Sequence, residues 1–368
     1  MLNILSNQGV WDNVIDSLLS VGLWSAVSKS IIIILLGFFL TKKGIFTKDT
    51  PRVLTKVVLV AALPCLAFTG FMADITQAEF LSAIFAFVWG FIIYTIFIFL
   101  SKLLFIKFSK EKRMVCEMLF IFGSTTFFAQ PLIQAIFPGA YLHSNMFNIA
   151  YRVFLYSYGF LLISKPKVDS SEIVERKQIN VKDVCKTIFL NPIVIATFLG
   201  FFLWSMQLVC ENVDWVKVTV DGKTGVFWRL DILCPPINST LSLLGSLSSP
   251  LVWLAIGGTL ASVSFKEAAS DKSVWIYSFI KVIGAPIINL LLLFIINLFI
   301  TVDINIVIAT TLMWATPPAT TIVSFCINYD KEALFASNCS FISTVVAVAC
   351  IPFYVVLITV LQSSGIFG

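Results

Sequence analysis

The chain has 368 residues, of which 58% are hydrophobic and only 12% are charged, and its formal net charge is +5. A soluble globular chain carries about twice this fraction of charged residues. The composition therefore excludes a soluble protein and predicts a polytopic all-α membrane protein, whose side chains mostly face lipid or one another. The positive charge does not indicate a nucleic-acid partner, because the basic residues lie in short segments between apolar runs.

The apolar runs predict ten membrane spans, and the segments between them are short except at about 165–186 and 210–236. Each run is long enough to cross a bilayer as a helix. The predicted spans cover residues 22–41, 53–73, 79–101, 114–137, 145–164, 187–209, 237–263, 273–299, 303–327 and 334–361.

The distribution of lysine and arginine predicts how the chain is oriented. The odd-numbered loops hold 19 of the 25 basic residues, whereas the even-numbered loops hold only Lys217, Lys223 and Arg229. Basic residues concentrate on the cytoplasmic side of membrane proteins. The odd-numbered loops are therefore predicted to be cytoplasmic and both termini to be extracellular, in a multi-pass protein of the cell membrane.

Span 9 is interrupted in its middle by Pro317 and Pro318, which stand in an otherwise apolar run. Two consecutive prolines remove two backbone donors and clash with the preceding turn, so a continuous helix cannot pass through them. Span 4 has a comparable cluster of glycine, hydroxyl, amide and proline residues between Gly123 and Pro131. One such cluster would be explained by close helix packing alone. Two clusters at corresponding positions of two five-span halves instead predict an inverted repeat, with a substrate site at mid-depth.

Three basic residues fall inside the predicted spans: Lys29, Arg152 and Lys281. Ionisable residues within a membrane are functional candidates by default. Each of these also lies close enough to a span end to extend its charge to the interface. That second interpretation is favoured for Lys29, and both interpretations stay open for Arg152 and Lys281. The only histidine, His143, is expected in an outer loop.

The sequence contains no Walker A motif, no HExxH or GxSxG motif and no cluster of metal ligands. These features argue against an ATP-driven pump and against a membrane enzyme, and they predict no cofactor and no metal. No carboxylate lies near a span centre, so coupling through intramembrane carboxylates is not expected either.

The long outer segment at 210–236 has a pattern of its own. Residues 215–220 alternate between apolar and polar, Asp221-Gly222 follows, and β-forming residues return at 226–228. Asp-Gly between such segments predicts a small β-hairpin. Cys210 and Cys234 bracket the segment, and the sequence leaves open whether they form a disulfide on that side of the membrane.

The motifs that carry a family resemblance are spread along most of the chain. They include Leu36–Phe39, Leu63-Pro64, Asn191-Pro192, Pro317–Asp330, Ala336-Ser337, Ser343-Thr344 and Ile351-Pro352. Through them, residues 22–361 resemble the auxin efflux carrier family, which includes plant PIN-type carriers and bacterial malonate and malate permeases. The chain departs from the family pattern in span 4. Many members have asparagine where this chain has Ser124, and glycine where it has Ala129-Gln130.

The resemblance implies a bile acid/auxin carrier-like fold of two inverted five-helix repeats, residues 22–164 and 187–361. A cytoplasmic linker at 165–186 would join them, and an extracellular segment, 1–21, would precede them. Helices 1, 2, 6 and 7 would form a scaffold, which in the family often dimerises, so the resemblance also implies a homodimer through helices 2 and 7. Helices 3–5 and 8–10 would form a transport domain in which helices 4 and 9 are broken and cross. Lys281 would face this crossing from the cytoplasmic side and Arg152 from the outside.

The sequence thus predicts a secondary transporter, or permease, for a small organic anion such as the dicarboxylates malate and malonate, or for a monocarboxylate. It would work by alternating access. The predicted substrate-binding residues are those of the two breaks and the polar or basic residues near them: Gly123, Ser124, Thr125, Thr126, Gln130, Tyr151, Arg152, Lys281, Thr316, Pro317, Pro318 and Thr320. The alternative is a non-transporting sensor of the same fold that binds a lipid or a metabolite.

Overall fold

The structure of the protein, a computed structural model, describes residues 21–47, 49–159, 162, 190–210, 213–262, 265–329 and 331–368. Helices dominate these residues. The first half of the chain forms α1 (Val21–Lys42), α2 (Thr50–Thr69), α3 (Gln77–Leu104), α4 (Lys110–Ile121), α5 (Gln130–Ile136) and α6 (Tyr141–Phe154). The second half forms α7 (Pro192–Val209), α8 (Pro235–Ala261), α9 (Lys272–Asn297), α10 (Ile304–Trp314), α11 (Thr320–Asn328) and α12 (Ala333–Ser364).

Within the described residues, six of these helices are long and apolar enough to cross a membrane: α2, α3, α7, α8, α9 and α12. The predicted spans 4 and 9 fall short of that length because each is divided into two helices, α4 with α5 and α10 with α11. The protein is therefore a polytopic all-α membrane protein, as the composition predicts. The total of ten spans and the inverted repeat stay predictions. The predicted linker at 165–186 and nearly all of segment 1–21 lie outside the described residues.

One packed group of helices is built around close contact between α1 and α8. A Cβ atom added at Gly257 of α8 would overlap the carbonyl oxygen of Ile34, and one added at Gly37 of α1 would overlap that of Leu254. Small residues at such positions let two helix backbones approach each other inside a membrane. The same group includes α2, which contacts both α7 and α8.

A second packed group contains the remaining helices. Here α3 contacts α4 and α6, α10 contacts α6 and α9, and α9 contacts α12. A buried polar chain links three of them: Trp89 of α3 donates to Asn289 of α9 at 3.1 Å, and Asn289 donates to Thr310 of α10 at 3.0 Å. Satisfied polar contacts of this kind fix the relative position of helices in an apolar interior. The assignment of the two groups as scaffold and transport domain stays a prediction.

The outer segment forms the predicted hairpin, with strands β1 (Lys217–Val220) and β2 (Lys223–Val226) paired in antiparallel register. The turn residues Asp221 and Gly222 have φ angles of 50° and 78°. Positive φ at both turn positions is what a two-residue hairpin of this type requires, and Asp-Gly tolerates it.

The base of this hairpin is anchored to the helices by buried polar contacts. Trp228 donates to the carbonyl oxygen of Leu203 at 2.9 Å, and the guanidinium of Arg229 pairs with Asp231 and Asp74. The hydrogen bonds to Asp231 and Asp74, with the charges of both carboxylates, outweigh the effect of burial and raise the pKa of Arg229 above its usual value. The hairpin segment is therefore fixed against the helices.

The structure answers one question that the sequence left open and corrects one expectation. Cys210 and Cys234 are free thiols, so the disulfide that the sequence left open is not formed. His143 lies in the first turn of α6 and not in a loop, and it is only 4% exposed. Its Nε2 atom lies 2.8 Å from the hydroxyl of Ser82, which in turn donates to Asp303.

Candidate functional site

The two interrupted spans meet each other at their interruptions. α4 ends at Ile121 and α10 ends at Trp314, and between the helix pairs Gly123 and Pro318 form an isolated antiparallel bridge. The backbone N–H of Ser124 donates to the carbonyl oxygen of Pro317 at 2.7 Å, and that of Ala319 donates to the carbonyl oxygen of Phe122 at 2.9 Å. The prolines have no N–H group. The two donors are therefore Ser124 on one segment and, on the other, Ala319, which follows the prolines.

The carbonyl groups that the interruptions free from helical bonding are also partly satisfied by side chains. The hydroxyl of Thr316 donates to the carbonyl oxygen of Met313 at 2.9 Å, at the end of α10. The ammonium of Lys281 donates to the carbonyl oxygen of Phe120 at 2.8 Å, at the end of α4. Backbone that leaves the helical pattern inside a membrane needs such partners.

Gly123 stands where the crossing is narrowest. A Cβ atom added there would overlap the hydroxyl oxygen of Thr316 and would lie 3.0 Å from Nζ of Lys281. The lack of a side chain at this position is therefore what lets the two interruptions approach closely.

Lys281 lies in a π-helical turn of α9, Ile280–Gly284, and is fully buried. Its Nζ atom lies 4.9 Å from the ring centroid of Trp314 and 5.7 Å from that of Phe120. No carboxylate of the described residues forms an ion pair with it. The predicted approach of Lys281 to the crossing is therefore present in the structure. Lys29, by contrast, is exposed on α1, as expected for a side chain that extends towards an interface.

A buried amide network holds the interruption in span 4 from the side of α6. Asn148 accepts a hydrogen bond from the hydroxyl of Thr125 at 2.7 Å and donates to Thr126 at 2.9 Å and to Gln130 at 3.3 Å. Gln130 also donates to Asn145 at 2.6 Å. The predicted binding residues Thr125, Thr126 and Gln130 are thus engaged with α6. Sequence reasoning missed both asparagines, although they recur at helical spacing on one face of α6.

Two further predicted residues lie on α6. The ring of Tyr151 packs edge-on to that of Phe122, with centroids 6.2 Å apart, so it borders the interruption directly. Arg152 is buried, at 4% exposure. It does not line the cavity described next.

A cavity of about 310 Å³ opens beside the crossing. Of the predicted residues, Ser124, Pro317, Pro318 and Thr320 line it. Gly123, Thr125, Thr126, Gln130, Tyr151, Arg152, Lys281 and Thr316 do not. Ser124 is only 8% exposed, and its hydroxyl has no hydrogen-bond partner within the described part of the chain. A hydroxyl that lines a cavity and has no partner in the protein is a position at which a polar ligand gains a hydrogen bond.

Sequence reasoning missed the hydroxyl residues that complete the lining: Thr55 of α2, Thr259 of α8, and Ser337, Ser340 and Thr344 of α12. Several of these hydroxyls, among them those of Thr259 and Ser337, donate to a carbonyl of their own helix four residues earlier. Such back-bonding makes a hydroxyl compatible with any apolar helix. The only available signal was the presence of Ser337 and Thr344 in motifs of the family.

The cavity combines hydroxyl groups with apolar walls. Its lining, as far as the structure describes it, contains no charged side chain. No group of three or more histidine, cysteine, aspartate or glutamate residues able to hold a metal is found within the described residues. What the cavity offers to a ligand is therefore hydrogen bonding from hydroxyls and from the backbone at the start of α11, where the N-terminal end of a helix favours negative charge.

Comparison with known proteins identifies the family. No curated protein matches the sequence. A family model described as "membrane transport protein" matches residues 23–355, which is most of the chain. The chain therefore belongs to this family of membrane transporters, the auxin efflux carrier or PIN-like family.

Proposed function

We propose that this membrane transporter is a secondary carrier, or permease, for a small organic anion, a mono- or dicarboxylate such as malate or malonate. The observation that carries the proposal is the cavity at the crossing, where the hydroxyl of Ser124 has no partner in the described chain and the helix α11 begins at Thr320. Its volume of about 310 Å³ suits a small metabolite.

The physical basis for preferring an anion lies in the helix ends. A carboxylate at the start of α11 meets free backbone N–H groups and the positive end of the helix dipole. Ser124 and Thr320 supply further hydroxyl donors from the two interruptions. Lys281 lies on the crossing outside the cavity lining, so its charge acts on the ligand through space and without direct contact. A carboxylate in a membrane interior requires such compensation, because an unpaired ion costs several kcal/mol there.

The composition of the cavity walls supports alternating access. Thr55 and Thr259 come from α2 and α8, whereas Ser124, Pro318 and Ser340 come from the interruptions and α12. A sliding of one helix group along the other would therefore carry one part of the lining past the other. In this proposal the protein works in the cell membrane with both termini outside, and it forms a homodimer through spans 2 and 7.

The test is uptake of labelled malate and malonate by proteoliposomes that contain the purified protein. Ser124→Ala should raise the KM about ten- to a hundredfold, because it removes one hydrogen bond to a charged group, worth about 1.5–3 kcal/mol. Ser205→Ala is the matched control, since that hydroxyl only donates to Phe202 of its own helix. Absence of flux for a panel of carboxylates, with binding of one of them retained, would favour the sensor alternative.

A further inference from the structure

The electrostatics of the crossing contain a feature that lies outside the lining of the cavity. Two helices, α4 and α10, end there, at Ile121 and Trp314. The C-terminal end of a helix carries the equivalent of about −0.5 elementary charge. Two such ends together amount to about −1 before the positive ends of the helical segments that begin at Thr125 and Thr320 are counted. The residues at the two ends, Phe120, Ile121 and Trp314, are buried.

The positive charge that offsets these helix ends is the ammonium of Lys281. The ammonium donates a hydrogen bond to the freed carbonyl oxygen of Phe120 at 2.8 Å. It also faces the rings of Trp314 and Phe120. Carbonyl oxygens at broken helix ends, together with aromatic faces, are also what a free monovalent cation requires. No carboxylate within the described residues shares the site, so the helix ends are the main source of negative charge around the ammonium.

We propose that Lys281 is a tethered counter-cation, which occupies the position where a free monovalent cation would otherwise bind to the crossing. The stability of the wild-type crossing then needs no dissolved cation. Removing the ammonium leaves the carbonyl oxygen of Phe120 without its partner and leaves a vacant volume beside it, and this creates a site for sodium or for a small alkylammonium ion.

The first test uses the melting temperature of the full-length protein in detergent, at constant ionic strength. Choline chloride is replaced stepwise by sodium chloride, ammonium chloride or methylammonium chloride. Lys281→Ala and Lys281→Gln should melt below the wild type in choline. Their melting temperatures should then rise by about 2 °C for each tenfold increase of at least one of the small cations. The wild type and the exposed-lysine control Lys29→Ala should show no such dependence.

Two results would overturn the proposal: variants whose melting temperatures respond to the small cations no more than the wild type does, or a wild type that responds equally. If a variant does not fold in choline, its yield of monodisperse protein decides. Recovery of that yield in sodium, ammonium or methylammonium supports the tethered cation, and failure in every salt contradicts it.

A second test depends on the proposed function as well. Carboxylate uptake by the wild type should be the same in sodium and in choline, whereas Lys281→Ala should regain uptake only with a small cation present. Because the melting experiment needs no substrate, the two ideas can fail separately. A cation-dependent melting temperature without any carboxylate uptake would contradict the proposed substrate and leave the counter-cation supported.

Discussion

Single atoms decide whether the two interruptions can meet. The pairing of Gly123 with Pro318 leaves no space for a side chain on the glycine, because Thr316 and Lys281 already occupy it. Moving either of those two side chains away would break a hydrogen bond to the backbone. The hydroxyl of Thr316 satisfies a carbonyl of α10, and the ammonium of Lys281 satisfies one of α4.

Gly123→Ala should therefore lower the melting temperature and reduce carboxylate uptake, and Gly123→Leu should abolish uptake. Overpacking by one carbon costs about 1–3 kcal/mol where the neighbours cannot move. Gly284→Ala is the control, because the nearest atom to an added Cβ there is 4.0 Å away. Thermal melting and uptake are measured for all three variants. A Gly123→Ala protein equal to the wild type in both measurements would show that the crossing is looser than the structure indicates.

At this scale, some site residues could be predicted from the sequence and others could not. Gly123, Ser124 and Pro317 could be predicted, because they belong to clusters of glycine, hydroxyl and proline residues that interrupt otherwise apolar spans. Asn148 and Ser340 do not, because their roles depend on which helices become neighbours. The network at Asn148 links α6 to the interruption of another span, and no local pattern encodes that contact.

Among the elements, the broken helices are the ones on which the site depends. A break exposes backbone groups, and the two breaks satisfy them by pairing with each other. The existence of each break is a local property of its prolines and glycine, so sequence reasoning predicts it well. The hydrogen bonds that Ser124 donates to Pro317 and that Ala319 donates to Phe122 are a property of the assembled fold. The sequence predicts only that the breaks should lie close together.

Replacement of both Pro317 and Pro318 by alanine should abolish carboxylate uptake while leaving expression largely intact. A backbone N–H at position 317 can donate to the carbonyl of Met313, which now accepts from Thr316, so the helix can continue through the break. Uptake per folded protein is the measurement. Pro352→Ala is the control, because Pro352 lies inside the continuous helix α12. Undiminished uptake by the double variant would mean that the interruption is only a packing kink.

The whole molecule has a charge asymmetry that predicts its orientation. The odd-numbered loops hold 19 of the 25 basic residues. The even-numbered loops hold only three, all in the hairpin segment, and the charge of one of them, Arg229, is paired with Asp231 and Asp74. Such a bias predicts that the odd-numbered loops are cytoplasmic.

Single cysteines introduced on a cysteine-free background test this orientation in intact cells. A cysteine at position 270 should resist a membrane-impermeant thiol reagent, whereas one at position 223, the first residue of β2, should react. Both positions are exposed at the protein surface, so their accessibility differs only by the side of the membrane. Labelling after permeabilisation controls for intrinsic reactivity. The opposite labelling pattern would reverse the predicted topology.

The pairing across the crossing also constrains the order in which the protein can fold during synthesis. Phe122–Ser124 and Pro317–Ala319 belong to opposite halves of the chain, so the first interruption has no backbone partner until the second has been synthesised. Unsatisfied backbone groups cost several kcal/mol each in hydrocarbon. The first half must therefore enter the membrane with span 4 incomplete, and the crossing can close only after Ala319 has been synthesised. A chain that stops before α10 can insert its early helices, but it contains only one half of the site.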